Sequence, residues 1–189
     1  MTQRREWAWC AGFAALMLGL LLWGLGGAAL WEDEAANAVL GARVLRYGLP
    51  YAWDGRNWVT RERGMDANGR GLWIFEPWLA LYVTAASLAL CGHTQFGARF
   101  LPALCGWLAA LLVVRIVRDR SKMSGAPLFA AALFATSVPY LLYCRQSRYY
   151  PLVLLFDALF MVSFRICAWN CGRSRLARWR SCSCSIRTR

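Results

Sequence analysis

The sequence predicts an all-α integral membrane protein with about four transmembrane helices, plus amphipathic or juxtamembrane helices gathered on one face. Three observations carry that expectation. Hydrophobic residues make up 59% of the 189-residue chain and charged residues only 17%, against roughly 45–50% and about 25% in a soluble domain. The apolar residues come in long blocks, several of them close to the roughly 20 residues that a span requires. The net charge of +12 is clustered at block ends, where Lys and Arg hold a loop on the cytoplasmic side.

The first block, Trp7 to Leu30, carries no charge and follows Arg4 and Arg5. It is too long for the apolar core of a secretory signal, and no small-residue cleavage site follows it. It therefore reads as a retained signal-anchor helix whose N-terminus stays inside. A polar stretch from Glu32 to Glu76 comes next. Within it Ala36, Leu40, Val44 and Tyr47 recur at helical spacing, with Arg43 and Arg46 off that stripe. The pattern predicts an amphipathic helix over Glu34–Tyr47, lying on the membrane surface with Asp33 as its N-cap. Asp54-Gly55, Asn68-Gly69 and Gly71 mark the remainder as turns. Trp53, Trp58 and Trp73 suit the half-wet interface.

Three further spans are expected at Phe96–Val117, Ala126–Tyr143 and Tyr149–Phe164, with Arg99 and Arg115 snorkelling from the ends of the first. Pro77–Cys91 has about 15 residues and reaches only ~22 Å as a helix, short of the roughly 30 Å hydrocarbon core. If it crossed, the cluster Arg115, Arg118, Arg120 and Lys122 would land outside. If it lies on the outer face, that cluster and the Arg-rich tail are both cytoplasmic, in keeping with the positive-inside bias. The sequence thus favours four spans and one interfacial helix, with the N-terminus in the cytoplasm.

The chain divides into residues 1–164, a membrane unit, and residues 165–189, a basic tail without any acid. The tail's abrupt Arg, Ser, Cys and Trp composition reads as a shifted reading frame or as a disordered cytoplasmic extension. The 8 cysteines and single histidine lack the ligand spacing of a metal framework, so no metal-ligating residue is assigned. The need for a divalent metal is left open. Nucleic acid is not an expected partner, because no recognition fold precedes the basic tail. Membrane lipids are.

The residues able to carry chemistry fall on one face. Trp31-Glu32-Asp33-Glu34-Ala35 places three acids just beyond the first span, a costly position near hydrocarbon; the same acids would also favour the dipole of a following helix. Glu76 stands before Pro77. Arg145, Arg148 and Tyr149 lie at the outer end of the third span, against the usual charge bias. Carboxylates can take a proton from a hydroxyl, and guanidinium groups grip phosphate bidentately. Asp157, inside the last apolar stretch, could reach the site or simply face other helices.

In order, these motifs run Trp31-Glu32-Asp33-Glu34-Ala35, Tyr47-Gly48-Leu49-Pro50, Glu76-Pro77, Phe96-Gly97-Ala98-Arg99-Phe100-Leu101-Pro102 and Arg145-x-x-Arg148-Tyr149-Tyr150. The series resembles the N-terminal part of the GT-C-type membrane glycosyltransferases, in the branch of protein O-mannosyltransferases and lipid A aminoarabinose transferases (glycosyltransferase family 39-like), over roughly Trp7 to Phe164. The resemblance implies a polyprenyl-phosphate sugar donor, an active site on the periplasmic face of the inner membrane, and inversion at the sugar carbon. It implies Asp33 and Glu34 as the catalytic carboxylates, Asp33 serving acceptor activation with Glu34 beside it. Glu76, Arg145, Arg148 and Tyr149 become substrate-binding residues, although Glu76 stands where relatives often carry Lys or Pro. Such enzymes continue through many more spans, so the chain is expected to be a truncated piece, inactive alone. The alternative from the residues is a non-catalytic multi-pass subunit or a transporter fragment.

Overall fold

The computed structural model describes residues 3–60, 63–123 and 125–164; the basic tail and its reading as frameshifted or disordered lie outside them. The regular elements among the described residues are helices, with α1 at Gln3–Leu22, α2 at Glu32–Tyr47, α3 at Trp78–Cys91, α4 at Gln95–Arg120, α5 at Ala126–Thr136 and α6 at Val138–Cys144. A seventh helix, α7, covers Tyr150–Phe164. By length and apolarity, two of these, α1 and α4, can cross a membrane, and three can if α5 and α6 count as one bent span. The shorter α3 and α7 are also apolar.

Helix α4 is shared by two packed groups. On one side α2 packs on α3 and α3 on α4; on the other, α1 and α4 both pack on α5. Leu40, Val44, Ala52, Trp73, Leu81 and Ala85 form the core of the first group. Met17, Leu21, Ala110, Ala135 and Cys144 form that of the second.

Two expected spans are interrupted, each for a backbone reason. The block Trp7–Leu30 is not one helix: α1 stops at Leu22, and turns follow through Gly24, whose φ of 61° is left-handed. Glycine adopts that conformation freely, and three glycines in four residues lower helix stability further. The block Ala126–Tyr143 bends by 64° between α5 and α6. Pro139 lies at the start of α6, and in a continuous helix its ring would strike the carbonyl one turn back. In α4, by contrast, Pro102 is tolerated; there the Ser87 hydroxyl accepts the neighbouring Leu101 N–H at 2.9 Å.

The buried face of α2 differs from the stripe expected of it. Its buried face comprises Glu34, Asn37, Leu40, Gly41, Arg43 and Val44, set against α3, while Tyr47 is exposed. Arg43 is therefore on the inner face. Its Nη1 donates to the carbonyls of Tyr51 (2.9 Å) and Ala52 (2.6 Å), and its Nη2 to Asp54 (2.9 Å) and the Asn57 carbonyl (3.1 Å). One buried guanidinium thus supplies the donors that a turn-rich segment needs. Trp73 is fully buried under the same segment rather than half wet, while Trp53 and Trp58 remain exposed. Gly48, at φ 77°, closes α2 by donating its N–H to the Val44 carbonyl at 2.8 Å, a left-handed C-terminal cap.

Candidate functional site

The expected site residues gather around the first turn of α2, but they divide into two layers. Helix α2 begins at Glu32 with Trp31 as its cap residue, so Asp33 lies inside the first turn rather than at the cap. Glu34 lies one residue on, and its side chain turns inward.

The inner layer is a closed ion pair. Both oxygens of Glu34 accept hydrogen bonds from Arg99, Oε1 from Nε at 2.9 Å and Oε2 from Nη2 at 2.7 Å. Oε1 also accepts the Ser147 N–H (2.9 Å), and Oε2 the Trp31 N–H (3.2 Å). Burial raises the Glu34 pKa, but the hydrogen bonds from Arg99, Ser147 and Trp31 outweigh it and hold the carboxyl below its ordinary range. The remaining Arg99 donors go to the carbonyls of Leu25, Ala28 and Ala29 at 3.0, 2.8 and 3.0 Å. Arg99 is therefore buried in the turn that follows α1 and does not snorkel to an interface.

This pair also fixes the loop between α6 and α7. Asn37 donates to the Ser147 carbonyl at 2.9 Å, and the Thr84 and Ser147 hydroxyls are 3.2 Å apart. Ser147 is fully buried, so its two flanking arginines are presented in set directions. Arg145 turns toward α1, where Nη1 donates to the Leu20 carbonyl and Nη2 to the Trp23 carbonyl, each at 2.8 Å. A cation on the last carbonyls of a helix satisfies orphan acceptors and complements the dipole.

The outer layer consists of Asp33, Arg148, Tyr149, Tyr150 and Glu76. Asp33 Oδ2 lies 2.8 Å from Arg148 Nη2, and both side chains keep solvent access, at 24% and 21%. The Arg148 guanidinium lies 5.0 Å from the centre of the Tyr150 ring, and its Nε has no hydrogen-bond partner among the described residues. The Tyr149 and Tyr150 rings are 4.5 Å apart. A hydrogen bond with Tyr150 raises the Tyr149 pKa. Desolvation and the charges of Tyr150 and Glu76 add to this, and Arg148 opposes it. Glu76 itself is nearly buried, at the entry to α3.

Of the six residues singled out by sequence, Asp33, Glu76, Arg148 and Tyr149 thus share one locus. Glu34 and Arg145 abut it but are committed to holding the chain. Asp157 is exposed on α7 rather than facing other helices. Sequence reasoning gave no site role to Arg99, Ser147, Asn37 or Thr84. The one available signal was an arginine one turn into an apolar helix, which requires a partner if it is buried.

Among the described residues, fold and site define a helical protein with two or three helices long and apolar enough to cross a membrane, bearing a solvent-reachable acid–arginine pair above a buried one. Searches among protein-family models, curated proteins and solved structures find no match to this chain.

Proposed function

We propose that the chain carries the donor-phosphate and acceptor-base end of a membrane glycosyltransferase, which moves a sugar from a polyprenyl-phosphate donor to a lipid, glycan or protein acceptor. The observation that supports this reading best is the Asp33–Arg148 pair. It joins a carboxylate and a guanidinium from distant parts of the chain, at 2.8 Å and in contact with solvent, the two groups that such a transfer needs for its base and its phosphate. In this reading α1, α4, the bent α5–α6 pair and α7 are four spans, with α2 and α3 on the outer face of a cell inner membrane. Arg115, Arg118, Arg120 and Lys122 then face the cytoplasm, as the positive-inside bias prefers.

In the proposed reaction the acceptor oxygen attacks the sugar's anomeric carbon. The bond from that carbon to the phosphate oxygen breaks, its electron pair leaves with the polyprenyl phosphate, and the acceptor proton passes to Asp33. Arg148 stabilises the charge that builds on the leaving phosphate. Binding of the phosphate draws Arg148 away from Asp33 and leaves the carboxylate free to act as base. Tyr149 and Glu76 line the same place. Glu34 and Arg99 are positioning residues, since all their donors and acceptors are committed to Ser147, Trp31 and the turn after α1.

The test is equilibrium binding of a short polyprenyl phosphate to the purified chain in detergent. Arg148→Ala is expected to abolish binding. Asp33→Asn is expected to tighten it, because the competing carboxylate charge is removed. A non-catalytic subunit or transporter piece has no reason to bind the ligand at all. Equal binding by the parent chain and Arg148→Ala ends the proposal.

A further inference from the structure

At the opposite end of α1 from the acid site, α1, α4 and α5 part to leave a groove of about 400 Å³, within the ~300–1,000 Å³ range of small-molecule sites. Small side chains open it: Ala11 and Ala14 from α1, Ala110 from α4 and Ala131 from α5, with Phe134 along one wall. Its mouth is charged. Arg115 and Arg118 line it together with Glu6. The Arg118 guanidinium rests 4.2 Å from the centre of the Trp7 ring and pairs with Asp119 at 3.2 Å. Arg115 is exposed and forms no ion pair among the described residues. Arg120 and Lys122 follow at the end of α4, so the segment from Arg115 to Lys122 carries four basic residues and one acid, Asp119.

We propose that this groove seats one acyl chain of an anionic phospholipid, with the headgroup phosphate on Arg115 and Arg118. The apolar walls require a hydrocarbon, and the excess of cations at the mouth selects an anionic headgroup. Trp7 sets the level of that headgroup, since an indole beside a guanidinium is at home where chain meets water. A zwitterionic lipid of the same chain length satisfies the walls but gains little at the mouth. The site is separate from the Asp33–Arg148 locus and does not depend on the glycosyltransferase reading.

Native mass spectrometry of the detergent-purified chain, mixed with dioleoyl-phosphatidylglycerol or dioleoyl-phosphatidylcholine, provides the test. The chain is expected to retain phosphatidylglycerol in preference. That preference should fall by about fivefold for each arginine lost in Arg115→Ala and Arg118→Ala, and should persist in the double Lys variant. Ala11→Phe, at an exposed groove position, should reduce retention of both lipids with the arginines intact. Equal retention of the two lipids by the parent chain overturns the proposal. So does a preference that survives the double Ala variant, or a retention that Ala11→Phe leaves unchanged.

Discussion

At the scale of single residues, Glu34 and Arg99 are the most constrained groups, with side chains only 3% and 8% exposed. Removing one partner leaves the other charge buried, which costs about 3–5 kcal/mol. Arg99→Met should therefore lower unfolding stability by that amount in a denaturant titration, and the double change Glu34→Leu/Arg99→Met should recover part of it. The pH behaviour follows from the same carboxyl. Its pKa is depressed from 4.5, so its contribution is complete above that value and is lost as pH falls through the lower folded value. An acid melt should show stability flat near neutrality and declining below about pH 4.5, with Glu34→Gln weakening the decline. The residues alone identified the acids as a group, and only the resemblance put Asp33 ahead of Glu34. The difference lies in which one faces Arg99, a residue 65 positions away. Arg43 was misjudged for a related reason: a stripe rule sends every charge to solvent, whereas a buried arginine with enough carbonyl partners is stable inside.

At the scale of elements, α4 and the end of α6 pack so closely at Gly106 that no side chain fits between them. A Cβ built on Gly106 would lie 2.7 Å from the Cys144 Cβ, so Gly106→Ala should destabilise by about 1–3 kcal/mol through overpacking. Thermal unfolding in detergent checks this. In the loop between α2 and α3, Asp54 is held at a pKa of about 2, first by the N–H groups of Asn57 and Arg56 and then by Arg43. Its support is present above the ordinary value of 3.8 and lost as pH drops toward 2. The exposed Trp53–Trp58 pair offers a fluorescence readout, and Asp54→Asn should remove that acid transition. The starts and ends of α2, α3 and α4 were legible to within a few residues, because caps, prolines and apolar runs mark them. The interior breaks at Gly24 and Pro139 were not, since hydropathy counts side chains and both breaks belong to the backbone.

At the scale of the whole molecule, the acid site lies beyond one end of α1 and the basic groove at the other, with α4 packed along both helix groups. The helical class was readable from the composition and the apolar blocks. The pairing of distant segments was not, because no local pattern records which loop docks on which helix. The grip of Arg145 on the end of α1 also has a consequence for biogenesis. The carbonyls of Leu20 and Trp23 are made 125 and 122 residues before the arginine that satisfies them. Through most of synthesis they lack that partner. The Asp33 locus is therefore complete only once the loop after α6 has been made, because Arg145 and Arg148 arrive together on it and Arg145 ties it back to the end of α1.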